Sequence, residues 1–467
     1  MVSQVADHAQ VIRQPGNDDS RLVSLTRKIQ SADPIAFYQS GEGMFQGKRF
    51  YWENPSGQLI MAGLGFVENI HITGEAQRFQ RIRDNWSDIV SGVNRIGVTG
   101  IEATGPVLFG GFSFESEDNG MNLWQAFGNG CFYLPEFLLT VVEGCSYLTL
   151  NVCCPKSSSP DAVLTEKERL AADLLRKKAS NSPSSGPFYP DHIEKQDMAV
   201  WSFMVNKALQ NIMTGSIDKV VLARTVQLHY DQKPKSERVL NRLRKEQCGN
   251  YIFCQESGQD YFIGATPERL IRKKGDKLYS TCLAGSAARG KNAEEDRELG
   301  RKLLHDQKNR KEHQYVVSMI REVFQNLCSS VAIPEKPILL KNRDVQHLYT
   351  PACGRCRRDV SLFDLVSRLH PTPALGGLPR TAAVQWIREN ETERRGLYGS
   401  PIGWCDAEGN GEFAVGIRSG LVKPKKAILY AGCGIVKDSV PETEYRETQM
   451  KFRPMMSGLG VSSFGTC

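Results

Sequence analysis

The sequence predicts an α+β fold in which antiparallel strands predominate. Short alternating apolar runs and frequent glycines fill residues 1–155, hairpin signals recur in the second half, and a few segments of helical period stand among them. No internal repeat is present. In chain order, RFYWENPSGQLIMAGLGFV (49–67) places two apolar runs around Asn54-Pro55-Ser56-Gly57, a turn composition that predicts a hairpin. LTLNV (148–152) alternates as a strand does. A helix is predicted over 165–178, with Thr165 and Glu168 spaced as a capping box. The Ser- and Pro-rich run SNSPSSGPFYPD (180–191) reads as an exposed loop or linker.

Residues 195–214 have the period of an amphipathic helix carrying Val200, Trp201, Met204, Ala208 and Ile212 on its inner stripe. KVVLARTVQLHY (219–230) is a predicted strand, and YIFCQ (251–255) with YFIGA (261–265) forms a hairpin about Gly258. One long helix is expected from 293 to 328, its buried stripe made by Val316, Ile320, Val323, Phe324 and Leu327. SLFDLVSRL (361–369) is a helix stopped by HPTP. EFAVGIRSGLV (412–422) and AILYAGCGIV (427–436) are strands. The segment 441–453 is a helix with Pro441 in its first turn.

Composition narrows the function classes. Of 467 residues, 59 are Lys or Arg and 52 Asp or Glu, a net charge of +7 that marks no polybasic arm. Nucleic acid and membrane surfaces are therefore not the expected partners. No apolar run reaches the roughly 18–20 residues that span a bilayer, and the first residues lack an apolar signal core. The expectation is a soluble cytoplasmic protein. Its 13 cysteines are many and odd in number, but scattered, so reduced thiols are expected rather than a disulfide framework. The one CxxC, Cys353 to Cys356, has no second pair, and His347 and His370 do not complete a zinc pattern.

Two phosphate motifs fail on inspection. GEGMFQGK (41–48) has the wrong glycine spacing for a P-loop, with Arg49 where Ser or Thr is required, and no GxGxxG follows a strand and opens a helix. There is no nucleophile elbow. What stands out is charge on faces that should be apolar. Glu312 lies in line with the stripe of its helix, where a carboxylate must be paired or bind a metal; the plainer reading pairs it with Lys308 or Lys311. Glu444, Glu447 and Lys451 fall at i, i+3 and i+7 on one helical face. That arrangement suits a hard cation such as Mg²⁺, or simply an exposed Glu447–Lys451 pair. Glu268, after Pro267, is either a solvated turn acid or a site acid. Lys219 shares a strand face with Val221 and Ala223, as an edge charge or as a desolvated base. Arg418 interrupts an apolar strand and calls for a carboxylate partner from the protein or a ligand.

An ordered series of segments joins these residues: IDKVVLAR (217–224), FIGATPERL (262–270), LAGSAARG (283–290), KNRKEHQYVV (308–317), LHPTPALGG (369–377), YGSPIGW (398–404), EFAVGIRSG (412–420), YAGCGIV (430–436) and PETEYRETQMK (441–451). Through them residues 195–456 resemble the chorismate-utilising enzyme family. The stretch LYTPACGRCRRDVSLFDLVSRLHPTPALGG resembles its branch that forms isochorismate for menaquinone biosynthesis in Gram-positive bacteria. The resemblance implies two face-to-face antiparallel sheets flanked by helices. Residues 1–190 would be a β-rich region packed into the same fold, and 191–460 the chorismate-binding catalytic region. It also implies a monomer acting on a small-molecule substrate.

The same resemblance implies roles. Lys219 would be the general base that activates water for attack at C2 of chorismate, and Glu268 the acid that protonates the departing 4-hydroxyl. Glu312 and Glu447 would ligate Mg²⁺, with Glu444 acting through water. Arg418 and Tyr398 would hold the enolpyruvyl carboxylate, and Lys451 the ring carboxylate. A Gly432–Gly434 loop would offer backbone N–H groups, with Ala284, Gly285 and His370 completing the substrate contacts. Family members often carry other residues at Cys433, Cys353 and Cys356. Lys219 disfavours the ammonia-using branches, as does Ala284 where one of them carries a lysine. Two alternatives remain: a salicylate synthase, which also eliminates pyruvate, and a non-catalytic binding protein on the same fold.

Overall fold

Strand pairing organises the chain into two sheets, one of eleven strands and one of thirteen among the described residues. A computed structural model describes residues 11–13, 20–74, 77–115, 123–157, 159–177, 188–343 and 345–461. Among the described residues every pairing is antiparallel except that of Ser20–Ile29 with Asn94–Gly97. In each sheet the early strands form one block and the late strands another, and the two blocks meet at a single pairing. Arg49–Glu53 pairs with Tyr251–Ser257 in the thirteen-stranded sheet, and Val107–Phe112 pairs with Pro401–Asp406 in the eleven-stranded one.

The inner faces of the sheets meet over an aromatic core. Phe50 and Trp52 from one sheet pack on Phe109 from the other, the Phe50 and Phe109 rings stacking at 4.2 Å. Helices Pro34–Ser40, Asp161–Arg176, Ser236–Glu246 and Pro441–Gly458 bury apolar stripes on the outer face of the thirteen-stranded sheet. Gln307–Leu327, Leu362–Leu369 and Arg78–Ser91 share a second core on the eleven-stranded side. The helices thus bury one face, while central strands such as Leu59–Leu64 and Tyr251–Ser257, covered by helices on one side and the other sheet on the other, are buried on both.

The hairpin expected at 49–67 forms, with strands Arg49–Glu53 and Leu59–Leu64. Its turn is held by Asn54 Oδ1, which accepts from the Gln58 and Leu59 amides. Other boundaries differ from expectation. The helix placed at 165–178 runs from Asp161 to Arg176. Thr165 is inside it, donating to the Asp161 carbonyl, and Glu168 pairs with Arg27, so the spacing makes no cap. The helix expected over 195–214 spans Met198–Met213, and Val200 faces outward while Trp201, Met204 and Ala208 are buried. Most of the Ser/Pro-rich run at 180–191 lies outside the described residues.

Two corrections shape the site. The long helix expected at 293–328 is two helices, Ala293–His305 and Gln307–Leu327, because Asp306 turns extended and its carboxylate caps the second through the Asn309 amide. The strand expected at 412–422 is also two. Gly411–Val415 belongs to one sheet and Ser419–Val422 to the other, the chain crossing at residues 416–418 with Arg418 at φ 49°. An L residue at positive φ is uncommon, and here the crossing imposes it.

Candidate active site

A cavity of about 210 Å³ is lined from both sheets, from the start of helix Gln307–Leu327 and from the first three turns of Pro441–Gly458. Strand alternation places it. Lys219 opens the strand Lys219–His229, whose odd-numbered residues Val221 and Ala223 share its face, and it is fully buried. Its Nζ donates to Glu312 Oε1 at 2.8 Å. Lys219 is therefore not an edge charge, and the partner of Glu312 is neither Lys308 nor Lys311. The cap at Asp306 sets Lys308 and Glu312 one turn apart at the helix start.

On the last helix Glu444, Glu447 and Lys451 line the cavity. The adjoining flank of this helix is fixed by Arg224, which donates to Thr448 Oγ1 at 2.7 Å and lies over the Tyr445 and Phe452 rings. Glu447 pairs with Lys451 at 2.6 Å, as the plainer reading held, but Lys451 is largely enclosed and also donates to the Gly432 carbonyl. Glu444, buried, pairs with Lys308 at 3.0 Å. Glu268 sits in the cavity wall at 4 % exposure rather than in a solvated turn.

Residues 432–434 are not a loop. They belong to the strand Lys426–Ile435, with Gly434 opposite Val221 and Gly432 opposite Ala223. The glycines are required by what stands in front of them. A Cβ on Gly434 would lie 2.8 Å from both Glu312 Oε1 and Lys219 Cε, and one on Gly432 would lie 3.1 Å from the Tyr398 hydroxyl. Tyr398 is itself held by stacking on Tyr430 at 5.1 Å. Arg418, Ala284 and Gly285 also line the cavity.

His370 does not line it. Its ring packs edge-on against Phe114 and meets the Phe114 carbonyl through Nε2 at 3.1 Å, because the HPTP turn carries Ala374 and Leu375, not His370, to the wall. Sequence reasoning missed Asn309, Ser286 and His347, which the cavity also exposes, and knew Lys308 only as a possible partner. Ser286 Oγ and His347 Nδ1 are 2.8 Å apart. No period marks them, since they lie on paired strands where only the register brings them together.

The electrostatics separate the acids. Burial pushes the Glu268 carboxyl up to about 8, against the opposing pull of Arg418, Lys451 and Lys219. Burial also works against the charged form of Glu312, but Lys219, Lys451 and Lys308 overcome it and hold that carboxyl below its usual range. Burial disfavours the ammonium of Lys451 as well, and Glu447 reverses the balance, raising it. Burial, with Arg418 and Lys451 nearby, keeps His347 neutral well below its usual range. The surroundings thus move two carboxyls of one cavity in opposite directions, Glu268 up and Glu312 down, the separation an acid–base site uses.

Glu312, Glu444 and Glu447 offer the carboxylate oxygens that a hard cation such as Mg²⁺ takes. Among the described residues no three His, Cys, Asp or Glu groups converge as a metal-ligand cluster. Each of these carboxylates instead meets a lysine, Lys219, Lys308 or Lys451. The donor chemistry fits the cation.

The chain resembles known proteins over nearly its whole length. Residues 8–460 match the family model described as "Chorismate binding enzyme". The chain is 41 % identical over 444 residues to isochorismate synthase MenF of Bacillus subtilis, covering 94 % of this chain and 93 % of that one. It is 35 % identical over 449 residues to the salicylate biosynthesis isochorismate synthase of Pseudomonas aeruginosa, covering 94 % and 90 %. The solved structure of MenF, the menaquinone-specific isochorismate synthase from Escherichia coli, superposes with a TM-score of 0.76 at 25 % identity, covering 94 % of each chain.

Proposed function

The chain belongs to the chorismate-binding enzyme family, and we propose that it is an isochorismate synthase, an isomerase that moves the hydroxyl of chorismate from C4 to C2 and serves menaquinone biosynthesis. The reading rests on identity that runs nearly the full length of an isochorismate synthase and, for the chemistry, on the state of Glu268. A carboxyl buried in the cavity wall and pushed up to about 8 carries a proton at neutral pH. It can give that proton to a leaving hydroxyl.

In the proposed mechanism Lys219 Nζ takes a proton from water as the oxygen attacks C2. The resulting ammonium is stabilised by the Glu312 carboxylate 2.8 Å away. Glu268 protonates the 4-hydroxyl, which departs as water, so one water enters and one leaves. Transfer of the proton from Lys219 back to Glu268 through solvent resets the site. Arg418 and Tyr398 receive the enolpyruvyl carboxylate and Lys451 the ring carboxylate, all three lining the cavity. Enclosure strengthens each of these interactions over its value in water.

Mg²⁺ would be held by Glu312 and Glu447, with Glu444 reached through water, and would supply positive charge beside the substrate's ring carboxylate. The proposal includes a cytoplasmic monomer that takes its substrate from solution. Among the described residues no helix is long and apolar enough to cross a membrane. Purified protein incubated with chorismate and Mg²⁺, then with EDTA, tests the reading. Isochorismate at a constant ratio to chorismate, lost with EDTA, is expected. Salicylate and pyruvate would replace the reading with a salicylate synthase, and unchanged chorismate in both would end it.

A further inference from the structure

We propose that Cys328 and Cys356 are a latent cross-strand disulfide, a redox modification site apart from the catalytic cavity. The two residues are register partners in the antiparallel pairing of Cys328–Ala332 with Val345–Cys356. The next pair outward is hydrogen-bonded, Arg357 N donating to the Leu327 carbonyl at 3.0 Å. Cys328 and Cys356 therefore form a non-hydrogen-bonded pair, in which Cα atoms stand about 4.5 Å apart, inside the range of about 4.4–6.8 Å that disulfides bridge. A bulge between Cys328 and Ser330 decides the face. A Cβ on Gly354 would meet Cys328 Sγ at 2.8 Å, so the Cys328 thiol lies over the face that Gly354 shares with Cys356. Cys353, three residues before Cys356, points the other way. Both thiols are free.

Access comes from position. Cys328–Ala332 ends the order of its sheet, and Ser329 and Ser330 are exposed, so fraying of this edge uncovers thiols that are 5 % and 7 % exposed in the closed form. Burial pushes the Cys328 thiol up to about 11 and raises that of Cys356, so thiolate is scarce and exchange slow. One thiolate attacks a sulfur of a low-molecular-weight disulfide and expels a thiol. The second thiolate then attacks the mixed disulfide and expels another. Two protein thiols are oxidised and one small disulfide is reduced to two thiols, which carry off the protons.

The bond closes the loop 328–356 and fastens the end of helix Gln307–Leu327 to the sheet. Glu312 is about 24 Å away along that helix, so turnover should be unaffected. From the loop-closure relation and the size scaling of unfolding entropy, Tm should rise by about 3–4 °C. The test equilibrates the full chain with oxidised and reduced glutathione, maps peptides by mass spectrometry without reduction, and melts each sample. The expected result is a Cys328–Cys356 cross-link, an upward shift in Tm that reduction reverses, and neither in Cys328→Ser or Cys356→Ala. Free thiols or stable glutathione adducts at these positions under oxidising buffer, or linkage of either to another cysteine, would overturn the proposal.

Discussion

Replacing Glu268 with Gln keeps the size of the side chain and removes its titration. In the folded chain burial lifts this carboxyl from 4.5 to about 8. A carboxyl whose folded pKa lies above its unfolded value destabilises the fold as pH rises between the two, because unfolding then releases a proton. Stability should fall from about pH 4.5 and level off above about pH 8. At pH 7 the separation from the unfolded value is about 2.5 units, and at 1.36 kcal/mol per unit the cost is about 3 kcal/mol. At pH 5 it is under about 1 kcal/mol. Glu268→Gln should therefore be more stable than the parent by up to about 3 kcal/mol at pH 7, about 3 °C in Tm for a chain of this length, and nearly equal at pH 5. Turnover should fall by about 10²–10⁴-fold, since an amide gives no acidic proton. Thermal melts of both proteins from pH 5 to 8, with chorismate turnover at pH 7, decide it. A variant whose advantage does not grow between pH 5 and pH 7 would refute a protonated Glu268, and with it the general acid.

Lys219→Met should abolish nearly all turnover, with a loss of about 10²–10⁴-fold. It should also destabilise the fold by about 3 kcal/mol in metal-free buffer, because the Glu312 carboxylate loses the Nζ–H donor it accepts from; turnover and denaturant midpoints measure the two. Gly434→Ala puts a methyl 2.8 Å from Glu312 Oε1 and Lys219 Cε, so kcat should drop at least about tenfold while the circular dichroism melt stays within about 1–3 kcal/mol of the parent. Glu447→Gln should weaken Mg²⁺ binding by at least about tenfold in calorimetric titration, since one of two expected direct carboxylates is lost. Arg395→Met should cost about 3–5 kcal/mol of stability by denaturant titration. The buried guanidinium holds Glu391 and the carbonyls of Val221 and Leu375, so it ties the strand of Lys219 to the cavity wall.

Local signals in this sequence proved legible where a short apolar run and its turn decide the structure. The hairpin at 49–67 follows from two apolar runs and turn chemistry, and the strand at Lys219 from a run whose residues bury on both sides. The site acids were visible as breaches of pattern. Glu312 stands on an apolar stripe, and Glu444 and Glu447 share a helical face, so sequence alone determined which side chains needed a partner. It did not determine which partner. Lys219 and Glu312 are 93 residues apart, and Lys308 and Glu444 are 136; the pairings follow from strand order and from how the last helix packs against the thirteen-stranded sheet. The break at Asp306 stayed hidden because residues on both sides of it are compatible with one continuous helix. The break at 416–418 stayed hidden because its cause is a crossing between sheets, which no local preference encodes. The same holds for Glu268. Its proline turn looks solvated in sequence, and only the walls drawn from distant segments remove the water that would let it ionise. Residue type and period marked the charged side chains that break pattern, and enclosure by remote strands raises the Glu268 carboxyl.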